Sequence, residues 1–229
     1  MLLIDAGTSY IKTYDTVTGK TSVLHITDFG KHDLSKPEYT TGHNAALIGK
    51  GHFVNELVAL AEGAKSLCKD QEFTILDIGS RDMKLVSFKS GRFDKCDWNT
   101  SCGAMVGFTI ELIMKYFNKT PQDLRVTDRH FDITCGLLGI TKFFDQISKD
   151  SSIEDGISSL INGMARFSWQ FAGKPQTLYL SGGLSENMVF VESLKKLVPD
   201  LRPLGRFVLI EGLKRYNDER AVNSPARNK

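Results

Sequence analysis

LLIDAGTSYIK, residues Leu2 to Lys12, and ILDIGSRDMKL, residues Ile75 to Leu85, decide the fold. In both, an apolar run of β type ends in an aspartate (Asp5, Asp77) and a glycine stands two residues on (Gly7, Gly79). A lysine follows seven residues beyond each aspartate (Lys12, Lys84). Each stretch opens a hairpin. Met1 to Asp5 turns into Tyr10 to Asp15, and Thr18-Gly19-Lys20 turns the chain again into Thr21 to Ile26. Phe73 to Ile78 turns into Met83 to Phe88, and Lys89-Ser90-Gly91 leads to a third run, Arg92 to Trp98.

A tight turn after a strand exposes successive backbone N–H groups that cradle an anion, and glycine allows both the angles and the close approach. An aspartate there repels phosphate, so its natural partner is a phosphate-bound Mg2+ or an attacking water. One Asp-x-Gly turn reads equally well as a plain hairpin turn. Two of them are more specific, joined by Gly182-Gly183 between a strand (Thr177 to Leu180) and a helix capped by Ser185 and running to Val198. Lys12 and Lys84 have a plainer reading as solvated strand charges, the one expected for Lys84.

The remaining chain is helical in period at Asn55 to Cys68, Phe108 to Phe117, Gly136 to Ser148 and Ser152 to about Phe171. Lys31 to Tyr39 reads as a polar loop, and Arg206 to Tyr216 as a last helical or mixed segment. Tyr216 to Lys229 is polar and aperiodic and is expected to be a frayed tail. The expected division is an N-terminal lobe of residues 1–98 holding both hairpins, a C-terminal lobe of 99–215, and a tail of 216–229.

The chain has 229 residues, 41% hydrophobic and 24% charged, with a net charge of +2, which points to neither nucleic acid nor an anionic membrane surface as a partner. No apolar run approaches the roughly 20 residues that span a bilayer, and the N-terminus does not read as a signal peptide. A reducing cytoplasm is the expected compartment. Cys68, Cys96, Cys102 and Cys135 are then expected as thiols, metal ligands or redox groups rather than disulfides.

The two hairpin turns with the later glycine pair resemble the actin, sugar-kinase and heat-shock ATPase superfamily. That resemblance implies an α/β, actin-like (ribonuclease H-like) ATPase fold with two lobes around a nucleotide cleft. Within it the chain resembles the BadF/BadG/BcrA/BcrD-type ATPases, which include the activators of 2-hydroxyacyl-CoA dehydratases. Ile4 to Lys12 resembles that family's phosphate loop, Thr40 to Ala45 its T-G-Y-G-R segment, and Asn55 to Lys65 its glutamate-led helix. Leu76 to Lys84 resembles D-I-G-G-Q-D-S-K, Trp98 to Phe108 resembles N-D-K-C-A-A-G-T-G-x-F, Ile133 to Leu138 resembles S-T-C-T-V-F, and Leu180 to Asn187 resembles T-G-G-V-A-x-N.

The resemblance implies ATP and Mg2+ as ligands, with Asp5 and Asp77 as catalytic carboxylates. Gly7, Thr8, Ser9, Gly79 and Ser80 would hold phosphates, Lys12 would neutralise charge, and Gly182 and Gly183 would face the nucleoside. It also implies that Cys102 and Cys135 bind half of a 4Fe–4S cluster shared across a homodimer, each at the start of a helix. Such a protein passes an electron to a dehydratase or another reductively activated enzyme. The arithmetic suits this chain: a cluster needs four thiolates, and a two-fold dimer doubles two to four. Read on their own, Cys102 and Cys135 are as readily buried small apolar residues.

Several positions depart from the family pattern. Met105 and Val106 stand for the glycine and threonine of G-T-G, leaving Gly107; Ser80-Arg81 stands for Gly-Gln, and His43-Asn44 for Tyr-Gly. Ile140 and Lys142 replace acidic residues after Cys135, and Phe207 to Ile210 is bulkier than the family's Gly-Ala-rich closing helix. Two other functions stay open on the same scaffold. One is a small-molecule kinase, which needs a carboxylate base beside an acceptor pocket; no residue stands out for that role, and Asp97 is a guess. The other is a regulatory subunit without turnover.

Overall fold

The structure, a computed structural model, describes residues 1–32, 34, 37–49, 51–99, 105–148 and 152–223. The chain divides into two units: residues 1–69 with 207–229, and residues 70–206. The first unit opens with the hairpin strands β1 (Leu2–Ala6), β2 (Tyr10–Asp15) and β3 (Thr21–His25). It continues through β4 (Pro37–Thr41), the single-turn α1 (Ala45–Ile48), β5 (His52–Phe53) and α2 (Glu56–Leu67). Among the described residues its strands lie in the order β3-β2-β1-β4-β5, with β1 antiparallel to β2 and parallel to β4.

The second unit repeats that plan. Its hairpin strands are β6 (Phe73–Ile78), β7 (Met83–Lys89) and β8 (Arg92–Asn99), followed by α3 (Val106–Tyr116), α4 (Gly136–Ile147) and α5 (Ile153–Phe171). Then come β9 (Thr177–Ser181), α6 (Met188–Lys195) and β10 (Asp200–Gly205). The order is β10-β9-β6-β7-β8, with β6 antiparallel to β7 and parallel to β9. Position for position this is the first sheet again. Finally α7 (Val208–Asn223) returns to the first unit. The sequence reading grouped both hairpins within residues 1–98; the contacts place each hairpin in its own unit, the second with α3 to α6.

The central runs form strands because they bury apolar residues, β6 and β7 on both faces, while β8 at the edge stays exposed along most of its length. In the second unit Leu76, Ile78, Met83 and Leu85 meet Phe143, Leu160, Met164 and Phe190 from the covering helices. A smaller cluster of Ile4, Ala6, Ile11, Leu34 and Ile48 covers one side of the first sheet. On α2, Gly63 and the facing Gly212 of α7 let the two helix backbones touch. A Cβ on Gly63 would stand 2.0 Å from the Val208 carbonyl oxygen, and one on Gly212 1.8 Å from that of Ala59.

The expected tail is therefore a helix as far as Asn223, held by the Tyr216 ring against Tyr39 (5.6 Å) and by Arg215 Nε on Glu62 (2.7 Å). Between the two segments read as helical, residues 200–205 form an edge strand, where Pro203 is tolerated. Two further expectations change. The polar loop ends in a buried parallel strand, β4, and α6 is capped by Asn187 rather than Ser185. The Ser185 hydroxyl instead donates to the Gly182 carbonyl (2.7 Å). Among the described residues no helix is long and apolar enough to cross a membrane.

Candidate active site

The first hairpin places Asp5 directly opposite Lys12. Asp5 is 2% exposed, and Lys12 Nζ reaches its Oδ2 at 2.8 Å. The turn closes with Gly7 N–H donating to the Tyr10 carbonyl (3.0 Å). Gly7 is required here, since a Cβ would lie 2.9 Å from that carbonyl oxygen and 3.3 Å from Lys12 Nζ. Thr8 is half-buried and Ser9 is buried beside it. The end of β4 completes the ensemble. Thr41 pairs with Asp5 in the sheet register, and Gly42 (φ 97°) lets the chain cross Ala6 so closely that a Cβ would fall 2.5 Å from its carbonyl. Asn44 then clamps the turn, its backbone N–H on Ala6 O (2.8 Å) and its Nδ2 on Gly7 O (2.9 Å).

The second hairpin repeats the geometry. Asp77 is buried opposite Lys84, and Gly79 N–H donates to the Asp82 carbonyl (3.0 Å). Ser181, at the end of β9, pairs with Asp77 and donates its hydroxyl to Asp77 Oδ2. Gly182 (φ 86°) crosses Ile78 as Gly42 crosses Ala6, with a Cβ position 2.3 Å from the Ile78 carbonyl oxygen. Gly183 is exposed and faces open space. Lys84 corrects its expected role as a solvated charge. It is 3% exposed, bonds Asp82 Oδ1 at 2.6 Å and lies 5.2 Å over the Trp98 ring, whose Nε1 also donates to Asp82 Oδ2 (3.1 Å). Trp98 reaches this cluster because β8 pairs it with Lys84. Asp97, on the same strand, is exposed, and its carboxylate accepts from Trp98 N–H (2.7 Å).

The helix starts of the second unit rest on this turn. Met105 N–H donates to Arg81 O (3.0 Å) and Phe108 N–H to Ser80 O (2.9 Å). Gly107 lies so close that a Cβ would be 2.5 Å from Gly79 O. The start of α4 is packed against the start of α3 in turn: a Cβ on Gly136 would stand 2.6 Å from Met105 O. The link between those helices is pinned to α5 by Asn162 Nδ2, which donates to Thr127 O (3.0 Å) and Arg129 O (2.9 Å). Cys135 is the N-cap of α4, buried, with its Sγ accepting from Leu138 N–H at 3.3 Å. Cys102 lies outside the described residues. Cys68 is buried at the end of α2 and Cys96 is exposed on β8. Among the described residues no three His, Cys, Asp or Glu side chains gather to hold a metal ion.

Asp5, Asp77 and the glycine turns were legible as a repeated pattern. Thr41, Asn44, Trp98 and Ser181 were not, because each reaches its partner through sheet pairing or a loop crossing that no local spacing encodes, and Asp82 was passed over. Asp82 alone carried a local signal, two residues before Lys84.

No family model and no curated protein matches the chain. Solved structures do match it. The activator of the 2-hydroxyisocaproyl-CoA dehydratase from Clostridium difficile, solved with ADPNP bound, is 15% identical with a TM-score of 0.78, and the match covers 100% of both chains. Component A of the (R)-2-hydroxyglutaryl-CoA dehydratase from Acidaminococcus fermentans is 18% identical, TM-score 0.78, over 97% of this chain and 98% of that one. The ethanolamine utilization protein EutJ from Carboxydothermus hydrogenoformans is 13% identical, TM-score 0.53, over 94% and 89%. At these identities the likeness is one of fold. The chain has the α/β actin-like ATPase fold expected from its sequence, in the form that the dehydratase activators share.

Proposed function

We propose that this chain binds Mg2+-ATP and works as an ATPase of the dehydratase-activator kind. One observation carries the reading: the same constellation occurs twice. It consists of a buried aspartate at a strand end, a lysine opposite it, a hydroxyl paired with it from the next strand, and a left-handed glycine crossing just beyond. A structural turn has no need of a buried carboxylate. A phosphate site does, to hold a metal ion or orient water.

In this reading the backbone N–H groups at Gly7, Thr8, Ser9, Gly79 and Ser80 receive phosphate oxygens, and Lys12 neutralises their charge. Asp5 and Asp77 orient the metal-bound or attacking water. Gly182 and Gly183 give the nucleoside room, which suits the open space at Gly183.

The second half of the proposal is that Cys102 and Cys135, two from each of two protomers, hold a 4Fe–4S cluster in a homodimer. Cys135 fits a thiolate ligand, since its sulfur caps a helix and accepts a backbone N–H there. Met105, three residues beyond Cys102, has its carbonyl against the Gly136 backbone. The outer sides of the same two helices leave Phe108, Leu112 and Tyr116 of α3 and Leu137 and Phe144 of α4 exposed, as a face for a second copy requires. Such a cluster supplies one electron at a time to a partner enzyme, here a dehydratase or another reductively activated enzyme in the cytoplasm.

The test is an anaerobic preparation assayed for iron, sulfide, mass in solution and nucleotide affinity. The expected result is a dimer with about four irons per pair of chains, micromolar Mg2+-ATP binding, and loss of iron without loss of nucleotide binding in Cys135→Ala. An iron-free monomer that binds nucleotide overturns the electron-donor half. Failure to bind nucleotide overturns the whole.

A further inference from the structure

One difference between the two repeats lies at the hydroxyl in register with the aspartate. Ser181 and Thr41 hold the same place in their sheets, each on the strand parallel to the aspartate strand and in register with the aspartate. Register partners on neighbouring strands project to the same face. Ser181 uses its hydroxyl to donate to Asp77. Thr41 is 0% exposed, yet its Oγ1 has no hydrogen-bond partner among the described residues. A buried hydroxyl without a partner is uncommon in folded proteins and calls for an explanation. Here Asp5 is already taken by Lys12, at 2.8 Å. The Lys12 ammonium also overhangs the turn, 3.3 Å from the place a Gly7 Cβ would occupy, within reach of an anion held by the turn's backbone.

We infer that Thr41 is the hydroxyl that takes over Asp5 when Lys12 turns to the phosphate of a bound nucleotide. The exchange keeps the Asp5 carboxylate oriented after its cation leaves, by the same contact that Ser181 makes permanently in the second unit. No covalent step is involved; one hydrogen bond to a carboxylate replaces another. The inference rests on the nucleotide-binding reading of this site and adds to it a positioning residue that the family resemblance does not assign.

Thr41→Val keeps the side-chain shape and removes the hydroxyl, whereas Thr41→Ser keeps the hydroxyl and removes the methyl. The measurements are the melting temperature of the ligand-free protein and the calorimetric affinity for Mg2+-ATP. If the hydroxyl is idle without ligand, Thr41→Val melts at or slightly above the parent temperature, because it replaces an unpartnered polar group with an apolar one. Its Mg2+-ATP affinity falls by about tenfold to a hundredfold, the size of a hydrogen bond to a charged group. Thr41→Ser binds like the parent.

Three results would overturn the inference while leaving nucleotide binding intact: parent-like affinity in Thr41→Val, a melting temperature several degrees lower in ligand-free Thr41→Val, or a Thr41→Ser variant as weak as Thr41→Val. If the parent protein binds no Mg2+-ATP at all, the functional reading falls and this inference falls with it.

Discussion

Gly107→Ala tests whether α3 is docked on the second phosphate turn as tightly as the structure has it. The new methyl would start 2.5 Å from the Gly79 carbonyl oxygen and 3.1 Å from Ser80 Cα, both backbone atoms that no rotamer change can remove. Real Cβ contacts essentially never fall under 3.0 Å, so the helix start and the turn must part by at least about 0.5 Å. That lengthens the two hydrogen bonds joining them, Met105 N–H to Arg81 O and Phe108 N–H to Ser80 O. Weakening both, each worth about 0.5–1.5 kcal/mol net, with overpacking strain of about 1–3 kcal/mol, exceeds the helix-propensity gain of about 1 kcal/mol from glycine to alanine. The balance is a loss of about 1–3 kcal/mol, or roughly 3–10 °C in melting temperature for a chain of this size. Nucleotide affinity falls by about tenfold or more, because the turn that faces phosphate has moved. Gly139→Ala is the matched control on α4, where the methyl meets only side-chain ends, Leu160 Cδ1 at 3.1 Å and Ile133 Cδ1 at 3.2 Å. It should leave melting and affinity near the parent values. If Gly107→Ala melts no lower than Gly139→Ala and binds nucleotide as well, the docking of α3 on the turn is refuted.

Gly212→Ala places a methyl 1.8 Å from the Ala59 carbonyl oxygen and should cost more than about 3 kcal/mol by prising α7 from α2, read as the denaturant midpoint; a parent-like midpoint would contradict the backbone contact. Lys84→Met leaves the buried Asp82 carboxylate without its ammonium and should cost about 3–5 kcal/mol, much of it regained in the Lys84→Met/Asp82→Asn double variant; additive losses would show that the pair is not coupled. Met105 has φ 20°, a backbone shape that suits glycine, so Met105→Gly should raise the melting temperature by a degree or two, and a drop would mean the methionine side chain outweighs the backbone strain.

What the sequence disclosed, and what it hid, follows from the range of the interactions. Both hairpins and the helices α2 and α5 were legible because their signals are local: alternation that ends in Asp-x-Gly, three- and four-residue spacing, and caps such as Asn55 and Ser152. The strand β4 was not. Its residues, Pro37 to Thr41, look like a loop, and they become a strand only because β1 offers an open edge to pair with. The same holds for α7, whose polar sequence around Tyr216 carries little helical period and is held by long-range contacts: Lys214 over the Tyr14 ring, Arg215 on Glu62 and Tyr216 against Tyr39. The burial of Lys84 was hidden because Trp98 reaches it only through the pairing of β7 with β8.

The departures from the family pattern at Met105 and Val106 acquire a physical sense from this geometry. At the place of the G-T-G threonine, Val106 is 1% exposed and belongs to the core cluster of the second unit, which fixes the first residue of α3. Met105 keeps a glycine-like backbone angle, so the path of the chain survives although the residue does not. The turn at Gly79 to Arg81 grips the start of α3 by two backbone hydrogen bonds, and the carbonyl of Met105 bears directly on the start of α4, beside Cys135. The residues that look like erosion of a nucleotide motif therefore belong to a continuous path of contacts from the Asp77 turn to the helix start at Cys135. Restoring glycine at 105 should loosen that path even as it relieves the strain, so stability and coupling are expected to move in opposite directions in the one variant.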